Sequence, residues 1–201
     1  MARHKLPIYT ERTIAETKAD QIEGAQQFAS QLGAVSCREG CSNCCHHAVH
    51  ATIPEGILAY QALSSRGLWT PSLRRRLENH ASFTWDLSPE VWHLTNIPCP
   101  MLENNRCIIY DARPFACRVT FATGDPEGCH PHRVNDPSSS VVPKLSALTS
   151  FVAKQTRLLK RHRLNAFMMS FSKTVLYGEK FATGAVDLES LGQLLAKDLA
   201  K

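Results

Sequence analysis

Apolar positions recur at helical spacing in several separate stretches of this chain. From Thr10 to Gly33, the residues Ile14, Thr17, Ile22, Ala25, Phe28, Ala29 and Leu32 keep to one stripe, which predicts a helix capped by Thr10 and stopped by Gly33. Gly24 inside it weakens the helix by about 1 kcal/mol relative to alanine. A second helix is predicted over Pro54 to Leu63. Thr52 is its cap, Pro54 sits in the first turn, Glu55 complements the N-terminal dipole, and Ile57, Leu58 and Leu63 supply the inner face, with Tyr60 partly exposed. Pro71 to His80 reads as a third helix, capped by Thr70, with Leu73 and Leu77 inward and Arg74, Arg75 and Arg76 mostly outward.

The pattern then fails. Between Pro98 and Cys129, Pro98, Pro100, Pro114, Pro126, Gly124 and Gly128 interrupt the backbone, and no apolar stripe outlasts a turn. So long a loop-rich stretch is uncommon in a compact domain unless something ties it down. After a connector from Asn135 to Pro143, helical spacing returns in Leu145, Leu148, Val152, Leu158 and Leu159. It continues in Leu164, Phe167, Met168, Phe171 and Val175, and in a short terminal helix from Leu188 to Leu195. The expected fold class is mainly α, a helical domain with a loop-rich middle. Residues 1–134 form the part that carries the candidate chemistry, and residues 135–201 a helical extension packed on it.

Composition narrows this picture. The 201 residues are 43% hydrophobic and 20% charged, a globular balance. No apolar run exceeds four residues, against the roughly 20 a membrane span requires. Met1 to Thr10 contains Arg3, His4, Lys5 and Pro7 and does not read as a secretory signal, so the expected compartment is the cytoplasm. The net charge of +5 comes with basic runs at Arg74–Arg76 and Lys160–Arg163, but no nucleic-acid recognition motif accompanies them, and they read as solvated helix faces. No phosphate-cradling Gly-rich loop, H-E-x-x-H or G-x-S-x-G occurs, and no single nucleophile stands out.

Eight cysteines do stand out, all between Cys37 and Cys129. In a reducing compartment clustered thiols are metal ligands or redox groups more often than disulfides. The first group is Cys37-Arg-Glu-Gly-Cys41-Ser-Asn-Cys44-Cys45. Two residues between thiolates let both sulfurs face one ion about 2.3 Å away, and Gly40 frees the backbone to turn before Cys41. Cys44 and Cys45, being adjacent, point apart in regular geometry, so each faces a different centre or only one is a ligand. The second group is Cys99, Cys107, Cys117 and Cys129, at gaps too wide to be diagnostic alone. His46, His47, His50, His130 and His132 are further candidates, though the thiols alone suffice. Arg38, Arg106, Arg113 and Arg118 accompany the cysteines. Four thiolates around Zn2+ or a [4Fe–4S]2+ cluster carry −2, so two sites would bring the formal +5 to about +1. Guanidinium groups nearby offset that charge and donate to sulfur.

The run C-x3-C-x2-C-C, followed by P-C-P-x-L, C-x-I-Y-x-x-R-P and C-R, resembles the YkgJ-like cysteine-cluster family of bacterial proteins, described as zinc- or iron-chelating domains. The matching positions are Cys37, Cys41, Cys44, Cys45, Cys99, Pro100, Leu102, Cys107, Ile109, Tyr110, Arg113, Pro114, Cys117 and Arg118, with the helix start Thr52-Ile-Pro-Glu55 between the halves. Met101 departs from the bulky apolar residue usual there, and Cys129 lies outside the matched motif. The family includes flagellin lysine N-methylases, so the resemblance also implies, as an alternative, an iron–sulfur enzyme acting on a protein or peptide. A metal-buffering or delivery protein is a further alternative. The main expectation is a metal-binding protein holding zinc or an iron–sulfur cluster. Its ligand pool is Cys37, Cys41, Cys44, Cys45, Cys99, Cys107, Cys117 and, least firmly matched, Cys129.

Overall fold

The computed structural model describes residues 8–32, 35–38, 40–85, 87–88, 91–92, 95–130, 141–143, 145–160, 168–186 and 190. Helix α1 (Ile8–Ala29) begins two residues before the expected cap and ends before Gly33. Its buried stripe is Ile14, Thr17, Gln21 and Phe28, while Ile22 is 40% exposed. Polar residues hold the inner face because each finds a partner there: Thr17 Oγ1 donates to Gln155 Oε1 at 2.8 Å, and Gln21 Nε2 donates to Glu55 Oε1 at 2.8 Å. A satisfied amide can take a place that apolar periodicity assigns to isoleucine.

Helix α2 (Ile53–Ser65) starts at Thr52 through a capping box. The Glu55 carboxylate accepts from the Thr52 backbone N–H at 2.7 Å and from Thr52 Oγ1 at 2.9 Å. Helix α3 (Pro71–Phe83) is capped by Thr70, whose hydroxyl accepts from Leu73 N, and it buries Leu73 and Leu77 as expected. Arg74 pairs with Glu78 and Glu179, and Arg76 with Glu103, so the basic run is an ion-paired face.

The middle segment is short pieces joined by turns. Strands β2 (Leu102–Glu103) and β3 (Arg106–Cys107) form a hairpin that sets Leu102 opposite Cys107. Asn104 and Asn105, at φ +49° and +59°, supply the two left-handed positions a tight hairpin turn needs. A single turn of helix, α4 (Phe115–Arg118), leads into β4 (Thr120–Ala122). That strand pairs antiparallel with β5 (Val141–Pro143), so the end of the expected connector is a strand, while residues 135–140 lie outside the described set.

Helix α5 (Leu145–Lys160) turns Phe151, Gln155, Leu158 and Leu159 inward, one position off the expected Val152. Phe151 stacks on Phe115 with ring centroids 4.2 Å apart. The next predicted helix is displaced. Strand β6 (Met169–Ser170) pairs with β1 (His50–Ala51), and only then does α6 (Phe171–Ala182) begin, with no side-chain capping bond from Ser170. Leu164 and Phe167 lie outside the described residues, as does the predicted terminal helix apart from Ser190.

Helices α2 and α6 cross in contact at Gly56 and Gly178. A Cβ on Gly178 would stand 2.7 Å from the Gly56 carbonyl group, and one on Gly56 2.1 Å from Thr174 O. The core follows from this crossing: Ala59, Leu63, Leu73, Leu77, Met101, Ile109 and Val175 pack around α2, α3 and α6. A smaller cluster of Phe28, Phe115, Val119 and Phe151 ties α4 between α1 and α5. The fold is mainly α with a loop-rich, cysteine-bearing middle. No helix among the described residues is long and apolar enough to cross a membrane.

Candidate metal centre

All eight cysteines are free thiols; Cys129 is buried and the other seven are half-buried. Each is held by identifiable backbone. Ser36 N donates to Ala122 O at 2.8 Å, while Ala122 N donates to Cys37 Sγ at 3.1 Å, which fastens the start of the first group to β4. Gly40, at φ +89°, turns the chain into Cys41. Cys44 and Cys45 lie in a 3₁₀ turn, Asn43–His46. The Cys99 N–H donates to Cys45 O at 2.7 Å, which joins the two cysteine groups directly. A second seam lies beside it: Asn43 Nδ2 donates to Pro126 O at 3.0 Å and to Glu127 Oε1 at 3.2 Å, and His47 Nε2–H donates to Cys129 O at 2.5 Å. Cys129 ends a 3₁₀ turn, Pro126–Cys129, that Asp125 caps. Cys107 is carried by β3 and Cys117 by α4.

The two groups therefore meet, with Cys44 and Cys45 between them. The Cys44 and Cys45 thiols are close enough to perturb each other, so adjacency in this turn does not isolate them. That interaction lowers the pKa of Cys44, helped by the Arg113 guanidinium against the cost of burial, and raises that of Cys45. Cys129 feels the charges of Cys44, Cys37 and Cys41, while Cys45 feels Cys44, Cys99 and Cys117. Burial pushes Cys99 and Cys129 up to about 12 and raises Cys37, Cys107 and Cys117 as well. Among the described residues, no three Cys, His, Asp or Glu side chains converge tightly on one point as the shell of a bound ion would. The thiols share a region, side by side.

Of the histidines, His46 has a buried Nδ1 without a hydrogen-bond partner, and its ring lies 6.0 Å from that of His130. His50 stands away beside Trp92, and His132 is outside the described residues. The donor set suits a thiophilic ion such as zinc or iron: eight free thiols and an orphaned imidazole nitrogen.

Two residues matter more than their motifs indicate. Glu55 reaches beyond its capping box, because its Oε1 also accepts from Phe115 N at 2.7 Å. That N–H is the first of α4, so a carboxylate on α2 caps the turn that carries Cys117. Burial raises the pKa of Glu55, and the four hydrogen bonds it accepts oppose the rise. The sequence marks Thr52 as the cap and Glu55 as a partner of the helix dipole, but nothing local announces the bond to Phe115. Arg113 is the second. Its guanidinium lies within electrostatic reach of thiols in both groups: Cys37 and Cys44 in one, Cys107 and Cys117 in the other.

No curated protein and no solved structure matches the chain. A family profile, CxxCxxCC, described as a "putative zinc- or iron-chelating domain", matches residues 36–139, about half of the chain and every one of the eight cysteines. The first gap here is three residues, Arg38 to Gly40, where the family's short name has two. This chain belongs to the CxxCxxCC family of zinc- or iron-chelating domains.

Proposed function

We propose that the protein holds zinc or an iron–sulfur cluster through its thiolates, in two sets that meet at Cys44–Cys45. Cys37, Cys41, Cys44 and Cys129 make one set, and Cys45, Cys99, Cys107 and Cys117 the other. The observation that carries this reading is the hydrogen bond from Cys99 N to Cys45 O, which draws the second cysteine group onto the first. The seam from Asn43 and His47 to the Cys129 turn supports the other half. Four thiolates satisfy tetrahedral zinc or a cubane cluster. A reducing compartment such as the cytosol would keep them available.

The role is structural at least. Metal binding joins segments that have only short strands and single turns of regular structure, so binding free energy becomes folding free energy. Protein purified without oxygen and stripped under reducing conditions is titrated with Zn2+, and the metal retained per chain is measured. Two ions per chain are expected, with Cys41→Ser and Cys107→Ser each losing one and melting lower. Full metal content and unchanged melting in both variants would refute the reading.

A further inference from the structure

The arginines around the thiols are not equivalent. Arg38 and Arg106 are exposed. Arg118 is spent on the backbone, its Nε donating to Arg113 O at 3.0 Å and its terminal nitrogen to Asp111 O. Arg113 differs from all three. Its guanidinium carbon lies 3.9 Å above the centre of the Tyr110 ring, which fixes the plane of the group. Its Nε is buried and has no acceptor. A buried donor without a partner is rare and needs a reason. Here the charged group lies within electrostatic reach of four thiols drawn from both halves of the site.

Resting on the thiolate reading above, we propose that Arg113 is the counter-charge of the centre, its Nε–H donating to a sulfur once that sulfur is a metal-bound thiolate. A neutral thiol is a weak acceptor, whereas a thiolate on a metal carries negative charge and accepts strongly. The donor is therefore unpaired in the metal-free protein and satisfied in the loaded one. Tyr110 is the platform that holds it ready. The same residue neutralises part of the −2 that each four-thiolate centre carries, which a rim arginine in contact with water does far less well.

The test is Zn2+ affinity, measured by competition with a chromophoric chelator under reducing, anaerobic conditions, beside thermal melting of the metal-free protein. In Arg113→Met the Zn2+ dissociation constant is expected to rise at least tenfold, in the range usual for loss of an outer-shell partner. Its metal-free form should melt at or above the wild-type temperature, because an unpaired buried donor has been removed. Arg113→Lys keeps the charge and lacks the Nε–H; it should fall between the two, and it decides the matter alone if the methionine variant does not fold. Arg106→Met, which removes an exposed charge of the same sign nearby, should bind as wild type does. Wild-type affinity in Arg113→Met or, failing that, in Arg113→Lys would overturn the proposal, as would a drop in metal-free melting that matches the loss of binding. A wild-type protein that takes up no Zn2+ would overturn the thiolate reading itself and this assignment with it, a result distinct from equal affinities.

Discussion

Replacing Glu55 probes the link between the helical core and the thiols. The carboxylate accepts four hydrogen bonds, from Gln21 Nε2 and Phe115 N at one oxygen and from Thr52 N and Thr52 Oγ1 at the other. Glu55→Gln keeps the shape and changes one acceptor into a donor. Whichever way the amide turns, its NH2 faces a backbone N–H, that of Phe115 or that of Thr52. One buried backbone donor is then unpaired and opposed, at a cost of about 2–3 kcal/mol. For a chain of this size that lowers Tm by about 4–12 °C. Glu55→Ala leaves all the donors unpaired and opens a cavity, costing about 3–6 kcal/mol, a large share of a typical domain's stability. Equilibrium urea unfolding followed by far-ultraviolet circular dichroism measures both. A Glu55→Gln midpoint equal to that of wild type would refute the reasoning, since no orientation of glutamine satisfies both backbone groups.

Two more perturbations have clear signs. Gly178→Ala places a methyl group 2.7 Å from backbone atoms of Gly56, which cannot rotate away, so α2 and α6 must separate. Overpacking of about 2–4 kcal/mol, less about 1 kcal/mol gained in helix propensity, should lower Tm by several degrees, and a melting curve at or above wild type would contradict the close crossing. The second concerns His80, whose pKa burial lowers to about 4, with Ser172 Oγ 2.9 Å from its Nδ1 and Trp92 and Lys173 on the elements around it. A folded value below the unfolded 6.5 means stability that is complete above pH 6.5 and is lost as pH falls toward 4. The loss is at most about 3 kcal/mol, reduced by the water the ring still touches. In urea titrations from pH 8 to 4, His80→Gln should show a shallower decline than wild type; parallel declines would refute it.

Much of this was readable from residue order. The caps at Thr52 and Thr70 and the inner leucines of α3 follow from local chemistry, and the structure bears them out. The inner face of α1 was misread at Ile22, because Gln21 is buried by partners on α2 that lie far away in sequence. The hairpin before Cys107 carried its own signal in Asn104-Asn105, whereas β1 and β4 depend on strands from distant segments and are too short to show an alternation. Within the site, the spacing of the first four cysteines suggested the chemistry. What spacing does not reveal is that Cys99 meets Cys45 through backbone, that Glu55 caps the Cys117 turn, or that Arg113, among four similar neighbours, has the unpaired donor. Each is a contact between residues remote in sequence, and no single segment encodes it.

The central claim is that sulfurs from both cysteine groups ligate a metal. X-ray absorption at the zinc and iron edges, on protein purified without oxygen and with metal per chain quantified, addresses it directly. The account predicts stoichiometric zinc or iron with a shell dominated by sulfur at about 2.3 Å. Protein that is folded and metal-free, or whose metal is surrounded mainly by oxygen and nitrogen, would contradict it.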